Sequence, residues 1–475
     1  MPTGFREITL KYISTRGQAP DLDFGDVLLS GLARDGGLYV PDVWPVFSKD
    51  EIAQFADLPY AELALRIIRP FVGDSIGDTA LAGIIDGAYS RFDAPDIAPL
   101  KEIGKNEYLL ELFHGPTLAF KDMALQILGP AFDHVLKTRG ETITIIGATS
   151  GDTGSAAIEA CRDRDAIEIF MLHPLGRVSD VQRRQMTTVT SANVHNIAIE
   201  GTFDDCQDLV KAMFNDEPFR DRLPLGAVNS INWARIMAQT VYYFFAAARV
   251  GAAAGPVSFA VPTGNFGNVF AGYGAGQMGL EVDQFVVGSN SNDILTQFFE
   301  TGAMTTGEVQ PTISPSMDIQ VSSNFERFAF DLLDRDGDRV RAAMDAFRES
   351  GTFSIDNKAL EFAQALFYGA RFDDEATKQT IHEVFEATGE MVDPHTAVGI
   401  AAGRAQRRDK SVPMVALATA HPAKFPDAVK DATGKLPALP DRLADLMDGE
   451  ERCQVLANDF DLVRAYVSDH AKATA

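Results

Sequence analysis

The sequence contains few cysteines and no long apolar run. Three of its 475 residues are cysteine (Cys161, Cys206 and Cys453), and their spacing fits neither a disulfide framework nor a zinc site. The longest apolar region, VYYFFAAARVGAAAG, is interrupted by Arg249, and the first residues, MPTGFREITLKYISTRG, lack the apolar stretch that a secretory signal needs. We therefore expect a cytoplasmic protein with no membrane span and no metal site.

The sequence is also short of basic residues. Lysine and arginine together number 42 against 67 aspartate and glutamate residues, so the formal net charge is −25 at pH 7. Nucleic acids and anionic membranes require a basic surface on their protein partners, and this charge argues against both. An anionic small-molecule substrate would have to bind in a locally positive pocket, at clustered arginines or helix N-termini.

The main pattern in the sequence is a short apolar run that leads through a turn of small residues into a helix. It occurs in TITIIGATSGDTGSAAIEACRD, in VSFAVPTGNFGNVFAGYGAGQ and in MVALATAHPAKFPDAVKDA. Apolar runs without strict alternation are typical of parallel strands that helices cover on both faces. The pattern predicts an α/β fold in which ligands gather at the carboxyl ends of the strands, where these turns lie.

The length of the chain and the changes of pattern along it favour more than one domain. Residues 1–97 have a mainly helical pattern and form a predicted N-terminal domain. We assign residues 98–115 and 241–435 to a large domain and residues 116–240 to a small mobile domain. Residues 436–475 are predicted to form a C-terminal helical appendage, because prolines punctuate the chain where they begin.

Lys121 lies in the stretch HGPTLAFKDMALQILGP, which predicts a helix that begins near Thr117. Residues three and four apart share a helix face, and Lys121 then falls on the apolar face with Leu125 and Leu128. A lysine is rarely buried, and burial lowers its pKa toward that of the neutral, nucleophilic amine. We therefore expect Lys121 to be a reactive group.

Two glycine-rich turns predict binding sites for anions. In PTGNFGN, Gly264 and Gly267 let the backbone approach a phosphate group at the N-terminus of a helix. The alternatives are an ordinary strand-to-helix connection and, less favoured because the spacing is not G-x-G-x-x-G, a dinucleotide site. The hydroxyl groups of ATSGDTGSAA suit a carboxylate or a phosphate oxygen; the alternative is that Ser or Asp of this turn simply caps the helix. These hydroxyl groups belong to Thr149, Ser150 and Thr153.

A third turn, ATAHPAKF, places Thr419 at a strand end and Lys424 just beyond it. By itself this turn predicts little. Together, however, a reactive lysine, a phosphate-binding loop, a carboxylate site and a strand-end hydroxyl are the groups needed to hold pyridoxal phosphate and an amino acid joined to it. The sequence therefore predicts pyridoxal 5'-phosphate as the cofactor, bound to Lys121 through a Schiff base.

A series of motifs spans nearly the whole chain: KYISTRG, GLARDGGLYVP, ELFHGPTLAFKD, GATSGDTGSAA, AVNSINWARI, PTGNFGN, SPSMDIQVSSNFERF and TAHPAKFP. In these motifs the chain resembles the threonine synthase family, which belongs to the tryptophan synthase β group of pyridoxal phosphate enzymes. The resemblance implies a fold-type II enzyme, in which the cofactor lies between two α/β domains with parallel sheets.

The resemblance also implies an activity, that of a carbon–oxygen lyase acting on phosphates. Enzymes of this family convert O-phospho-L-homoserine and water to L-threonine and phosphate by β,γ-elimination and replacement, in the last step of threonine biosynthesis. Lys121 would carry the cofactor and move protons at the α and β carbons. Thr419 would face the pyridine nitrogen, where a neutral hydroxyl favours elimination and replacement over transamination.

The remaining residue roles are likewise implied by the resemblance. The cofactor phosphate would bind Gly264, Asn265, Phe266, Gly267 and Asn268. The substrate carboxylate would bind Thr149, Ser150, Asp152 and Thr153. The substrate phosphate would bind Asn229, Ser230 and Arg235. Two positions depart from patterns seen in relatives: Asn268 stands where related synthases often have aspartate, and Asp152 stands where enzymes of other activities have asparagine.

The sequence is also compatible with other functions. The chain could be a phospholyase that releases a keto acid, a dehydratase acting on serine or threonine, or a protein that binds pyridoxal phosphate without turnover. The phosphate-directed segment NSINWAR argues against a dehydratase, and the intact Lys121 argues against a non-catalytic protein. A monomer and a homodimer are both compatible with the sequence.

Overall fold

The computed structural model describes residues 10–227, 230–251 and 255–471. Within these ranges no helix combines the length and the apolar character needed to cross a lipid bilayer. The chain folds into a helical N-terminal region and two mainly parallel sheets packed with helices, so the predicted α/β class is confirmed.

The N-terminal region is mainly helical. Strands β1 (Tyr12–Ser14) and β2 (Tyr39–Pro41) form a short antiparallel pair. The helices are α1 (Phe24–Ser30), α2 (Lys49–Ala53), α3 (Tyr60–Val72) and α4 (Asp78–Tyr89). The buried residues of α3 recur at intervals of three and four, so they form one apolar face. This face packs against α10 (Trp233–Arg249), a long helix that is buried along most of its length.

The larger sheet contains β3 (Leu100–Gly104), β4 (Glu107–Glu111), β9 (Val257–Pro262), β10 (Val282–Ser289), β13 (Phe367–Arg371) and β14 (Met414–Ala418). Their order across the sheet is β13-β10-β9-β14-β4-β3, and all neighbours are parallel except the β3–β4 hairpin. Because β9 and β14 are parallel neighbours, the turn PTGNFGN and Thr419 leave the same edge of the sheet.

Further helices lie in the same part of the chain, some of them packed directly on this sheet. They are α11 (Gly267–Gln277), α12 (Ile294–Thr301), α13 (Phe325–Leu332), α14 (Gly337–Ser350), α15 (Asn357–Gln364), α16 (Asp374–Thr388), α17 (Pro394–Gln406) and α18 (Pro426–Thr433). A small hairpin, β11 (Ala303–Thr305) with β12 (Thr352–Ser354), lies beside them. Helix α17 packs across β9, β10 and β14, which explains why these central strands are buried and apolar.

The second sheet contains β5 (Ile143–Ala148), β6 (Ile167–Pro174), β7 (Val194–Glu200), β8 (Leu225–Gly226) and β15 (Gln454–Ala457). All its neighbours are parallel, in the order β15-β7-β6-β5-β8. Its helices are α5 (Asp122–Arg139), α6 (Asp152–Cys161), α7 (Asp180–Thr187), α8 (Phe203–Asn215) and α9 (Glu217–Arg222). The carboxyl end of β5 leads directly into the turn ATSGDTGSAA.

The C-terminal segment contributes to this second sheet, a feature that the sequence pattern does not predict. Strand β15 pairs with β7, and α19 (Phe460–His470) packs on α8. The residues of β15 are largely exposed, so the strand lacks the apolar signal of the central strands. The domain boundaries expected from the sequence stay a prediction.

Helix α5 begins at Asp122, so the predicted start near Thr117 is wrong. The Asp122 carboxylate accepts hydrogen bonds from the Thr117 N–H at 2.7 Å and the Thr117 hydroxyl at 2.9 Å. Leu118 has a left-handed φ of 61°, which keeps this turn out of the helix. Lys121 is buried as predicted, with 8% of its surface exposed, but it stands at the N-terminus of the helix.

Candidate active site

A pocket forms where turns from the two sheets meet. Its walls include Phe120, Lys121, Asp152, Thr153, Ser230, Arg235, Gln239, the segment Pro262 to Asn268, Ser316, Met317, His395, Thr419 and Ala420. The pocket therefore combines residues that lie far apart in the sequence, at the strand ends where ligands bind in parallel sheets.

Most of the predicted site residues line this pocket. They are Lys121, Asp152, Thr153, Ser230, Arg235, Gly264, Asn265, Phe266, Gly267, Asn268 and Thr419. Thr149 and Ser150 are not among the lining residues. Asn229 lies outside the described residues. The roles assigned to all these residues stay predictions.

The environment of Lys121 favours a neutral amine. Its Nζ lies 3.3 Å from Asp152 Oδ2. Burial lowers the pKa of Lys121, the Asp152 carboxylate opposes this, and the positive charges of Lys424 and Arg235 act in the same direction as burial. The N-terminus of α5, at which Lys121 stands, carries a partial positive charge that adds to the effect. At a given pH, a lysine with a lowered pKa carries more of the neutral, nucleophilic amine than an exposed lysine does.

Asp152 is an ionised carboxylate held between two lysines. Its Oδ1 lies 2.8 Å from Lys424 Nζ and accepts a hydrogen bond of 2.8 Å from Gln182 Nε2. Burial acts to raise the pKa of Asp152, but Lys121, Lys424 and the Gln182 amide outweigh it and hold the pKa well below its usual value. The protein thus already supplies partners for this carboxylate.

Thr149 caps the helix that follows it. Its hydroxyl accepts hydrogen bonds from the N–H groups of Gly151 at 3.0 Å and Gly154 at 2.8 Å, so a threonine, and not the serine or aspartate of the capping alternative, satisfies this helix N-terminus. Gly151 has a φ of 138°, and a Cβ at this position would lie 2.5 Å from Gln182 Cδ. Ser150 is exposed and is not among the residues that line the pocket.

The turn PTGNFGN presents its backbone to the pocket. Phe266 has a left-handed φ of 59°, and its ring is anchored among Phe299, Phe325, Phe328 and Phe367. Helix α11 begins at the next residue, so its free N–H groups face the pocket. The Phe266 side chain therefore fixes the loop, and the backbone of this residue is the part left to face the pocket.

Asn268 offers a hydrogen-bond donor. The hydroxyls of Tyr242 and Tyr243 both donate to Asn268 Oδ1, at 2.6 and 2.9 Å. The Nδ2 atom is buried and has no hydrogen-bond partner in the described part of the chain. The two tyrosines therefore orient the amide, and its NH₂ group is available to an anion in the pocket.

Arg235 is a buried cation with free donors. Its side chain projects from α10, and only 3% of the residue is exposed. Nε and Nη1 are buried without a hydrogen-bond partner among residues 10–227, 230–251 and 255–471. Burial lowers the pKa of Arg235 to about 10. A guanidinium group that is desolvated and unpaired is suited to a ligand with phosphate or carboxylate oxygens.

Models of known families match three consecutive parts of the chain. The model described as "Threonine synthase N terminus" matches residues 11–89, and "Threonine synthase, C-terminal" matches residues 396–467. Between them, "Pyridoxal-phosphate dependent enzyme" matches residues 92–349. A threonine synthase of Pseudomonas aeruginosa is 56% identical over 462 residues, which cover 97% of this chain and 98% of the relative. This chain belongs to the threonine synthase family.

Solved structures of threonine synthases resemble the whole fold. The pyridoxal-phosphate-bound enzyme from Brucella melitensis matches with a TM-score of 0.96 and 51% identity, over 98% of this chain and 100% of that one. The yeast enzyme matches with a TM-score of 0.93 and 37% identity, over 97% and 98%. The resemblance and the fold-type II architecture expected from the motifs are thus confirmed.

The threonine synthase fold also uses residues that the sequence motifs contain but do not single out. Ser322 Oγ donates to the Gly264 carbonyl at 2.7 Å, and Asn324 Nδ2 donates to the carbonyls of Asn265 at 2.9 Å and Ser230 at 3.0 Å. Ser323 Oγ donates to Asn265 Oδ1 at 3.1 Å. The segment before α13 therefore links the phosphate loop to the segment that carries Ser230.

His395 supports the part of the threonine synthase pocket that Ser316 forms. Its Nε2 accepts a hydrogen bond of 3.1 Å from the Ser316 N–H, so Nδ1 carries the ring proton and donates to Asp393 Oδ1 at 2.9 Å. The Ser316 carbonyl in turn limits space at Gly264, where a Cβ would lie 2.8 Å from that oxygen. No motif of the sequence marks His395, because its role depends on a contact between distant segments.

The groups in this pocket fit pyridoxal phosphate. The site offers an amine with a lowered pKa, a glycine-rich backbone turn at a helix N-terminus, and a strand-end hydroxyl. The unpartnered donors of Asn268 and Arg235 are also consistent with anionic groups that the protein itself does not supply. The donor set therefore matches a phosphorylated cofactor together with an anionic substrate.

Proposed function

We propose that this protein is a pyridoxal-phosphate-dependent threonine synthase. It converts O-phospho-L-homoserine and water to L-threonine and phosphate, as a carbon–oxygen lyase acting on phosphates. The observation that carries this proposal is the meeting, in one pocket of a threonine synthase fold, of Lys121, a phosphate-binding turn and the unpaired cation of Arg235. A second anion site beside the cofactor site is what a phosphorylated amino acid requires.

We assign the cofactor to Lys121, the glycine-rich turn and Thr419, which all line the pocket. Lys121 binds it covalently, and the backbone from Gly264 to Asn268 holds its phosphate with the Asn268 amide as an additional donor. Thr419, at the end of β14, is the partner of the pyridine nitrogen. A neutral hydroxyl there does not supply the negative charge that would keep the nitrogen protonated.

Pyridoxal phosphate, when bound, supplies an electron sink for negative charge at the α and β carbons of the amino acid. Lys121 would remove the α proton, pass it on to the substrate joined to the cofactor and, as the free amine again, remove a β proton. Its lowered pKa favours the amine form that each removal needs. Asp152, which stays ionised beside it, stabilises the ammonium form of Lys121 that exists after each proton is taken. Lys121 can then return protons when water has added at the β carbon.

Arg235 and Ser230 hold the phosphate that leaves from the γ carbon. The Arg235 guanidinium is buried and fully charged at neutral pH, so its attraction for the leaving phosphate is only weakly screened by water. Because Asp152 is already paired with lysines, the substrate carboxylate takes its donors from neighbouring groups, of which Thr153 lines the pocket.

The test is to incubate the protein, supplied with pyridoxal phosphate, with O-phospho-L-homoserine and to quantify phosphate and the organic product. Equal amounts of phosphate and threonine, abolished in Lys121→Ala, are expected. Phosphate with 2-ketobutyrate would instead indicate a phospholyase. Absence of phosphate release, with turnover of serine or threonine, would indicate a dehydratase, and absence of any turnover would leave a cofactor-binding protein.

The remaining expectations from the sequence belong to this proposal. The scarcity of cysteine supports a cytoplasmic location, and the acidic net charge argues against nucleic acid as a partner. A monomer and a homodimer both stay possible forms of the enzyme. We keep residues 116–240 as the segment that moves on substrate binding, since this type of pocket between two sheets can close by domain motion.

A further inference from the structure

Lys424 is a fully buried lysine that lies behind the pocket. It follows β14 in the short helical turn Pro422–Lys424, and its side chain has no exposed surface. Its Nζ donates to the Thr117 carbonyl at 2.7 Å and to Gln185 Oε1 at 3.1 Å, and it lies 2.8 Å from Asp152 Oδ1. Lys424 is not among the residues that line the pocket, so a direct contact with the substrate is not its role.

The two oxygens of Asp152 have unequal partners. Oδ1 is held by Lys424 and Gln182, each at 2.8 Å, whereas Oδ2 has Lys121 at 3.3 Å and the Ser316 hydroxyl at 3.5 Å. Coulomb attraction and hydrogen bonding both weaken with distance. The stronger interactions of the carboxylate are therefore directed away from Lys121.

We propose that Lys424 is a positioning residue that shares the Asp152 carboxylate with Lys121 and so keeps Lys121 from a full ion pair. One carboxylate between two ammonium groups balances only one of their charges. The imbalance favours loss of a proton from the more weakly held amine, which is Lys121. This inference rests on the proposed role of Lys121 as the residue that binds the cofactor.

The other charged groups around Lys121 agree with this assignment. Arg235 faces it from α10 and adds a further positive charge. Asp122 follows Lys121 in the chain, but its carboxylate is directed to Thr117 and to the Gln126 amide. His395, in the same pocket, is bonded to Ser316 and Asp393. Asp152 is therefore the carboxylate whose distribution between the lysines governs the charge on Lys121.

The experiment measures the free amine of Lys121 without relying on turnover. Cofactor-free protein is mixed with pyridoxal phosphate at a series of pH values, and the rate at which the Schiff-base absorbance appears is recorded. In Lys424→Met, Asp152 is free to pair fully with Lys121. We expect the midpoint of the rate–pH profile to move upward by about one to two pH units, the usual effect of a nearby charge. Lys424→Arg, which keeps the charge, should restore the midpoint.

Gln182→Met is the matched control. It removes a neutral donor from the same oxygen, Asp152 Oδ1, and leaves both lysines in place. If Lys424 acted only by fixing the orientation of Asp152, both variants would shift the midpoint alike. An unchanged midpoint in folded Lys424→Met, or an equal shift in Gln182→Met, would overturn the proposal.

Three further variants keep the result decisive. Lys424→Gln retains a donor to Thr117 without the charge and replaces Lys424→Met if that variant does not fold. Asp152→Asn should lower the midpoint, because Lys121 loses its facing carboxylate, and an unchanged midpoint would contradict the proposal even without a Lys424 variant. Lys121→Ala separates the two hypotheses: covalent capture of the cofactor by this variant would refute the role of Lys121 itself.

Discussion

The unpaired charge of Arg235 should make the ligand-free protein less stable than a variant that lacks this charge. Burial lowers the pKa of Arg235 from 12.5 to about 10, which corresponds to a cost of roughly 3 kcal/mol for the charged form in the folded state. Arg235→Met keeps an apolar stem and removes the charge. We expect it to raise the free energy of unfolding by about 1–3 kcal/mol, after allowance for lost packing.

The direction of the pH effect follows from the lowered pKa. The cost is fully present below about pH 10, where the side chain is charged both in the folded and in the unfolded chain, and it disappears only at higher pH. At pH 7 the difference between Arg235→Met and the unmodified protein should therefore be insensitive to small changes of pH.

The same substitution should impair function. Hydrogen bonds to charged groups contribute about 1.5–3 kcal/mol each, so the loss of two of them should lower kcat/KM for O-phospho-L-homoserine by about 10²–10⁴. Because the phosphate is the leaving group, kcat should fall as well. A change confined to KM would contradict a role in the transition state.

Arg327 provides the matched control for stability. It is also fully buried, but its donors have partners: Nε donates to the Tyr39 carbonyl at 3.0 Å, Nη2 to the Ile231 carbonyl at 2.6 Å, and Nη1 to Asn324 Oδ1. Burial lowers the pKa of Arg327 as well, to about 9, but its three hydrogen bonds, at about 1.5–3 kcal/mol each for a charged group, offset that cost. Arg327→Met should therefore destabilise the protein, since the buried Tyr39 carbonyl and the buried Asn324 side chain lose their donor. The assay is urea unfolding at pH 7. A loss of stability in Arg235→Met as large as that in Arg327→Met would refute the reasoning.

Three further predictions concern other buried groups. Asn268→Leu should weaken pyridoxal phosphate binding by about tenfold or more, measured by absorbance titration, because it removes a buried donor from a side chain of similar shape; unchanged affinity would exclude the Asn268 side chain from the site. Burial raises the pKa of Asp122 from 3.8 to about 6, so ionisation of Asp122 destabilises the fold as pH rises through this window. The stability of Asp122→Asn relative to the unmodified protein should therefore increase by about 2 kcal/mol from pH 4 to pH 6.5, and a flat difference would contradict this. Glu326→Gln should lower the free energy of unfolding in urea by about 3 kcal/mol, because it leaves buried Arg16 without its carboxylate. Glu281→Gln, in the exposed pair with Lys49, should lower it by less than about 1 kcal/mol. Equal losses would refute the difference expected between a buried and an exposed ion pair.

The sequence predicted the parts of the site that depend on local structure. The turn PTGNFGN and Thr419 could be recognised because each directly follows an apolar strand, and the strand-turn-helix pattern carries its own signal. The burial of Lys121 could be predicted for a similar reason. The start of its helix could not, because the turn at Thr117 is held by the Asp122 carboxylate rather than by backbone preference.

The parts of the site that the sequence did not predict depend on contacts between distant segments. Lys424 meets Asp152, and His395 meets Ser316, only after both sheets have formed. No spacing rule predicts such a pair from one sequence. The position of β15 is a related case, because an exposed edge strand of four residues lacks the apolar pattern that marks central strands.

The position of Thr149 beside a helix N-terminus shows a different limit of prediction from sequence. A hydroxyl beside a helix N-terminus can bind either an external anion or the N–H groups of its own helix, and the sequence allows both. The structure directs Thr149 to Gly151 and Gly154, while Thr153, one turn along, lines the pocket. Residues of one motif therefore divide between support of the fold and the lining of the pocket.

The most direct test of the central claim is to carry out the reaction of O-phospho-L-homoserine in heavy-oxygen water and to locate the label by mass spectrometry. Elimination followed by addition of water breaks the bond between the γ carbon and oxygen. We therefore expect one labelled oxygen in the hydroxyl group of threonine and no label in the released phosphate. Label in the phosphate, with homoserine as the organic product, would show simple phosphate-ester hydrolysis and contradict the account.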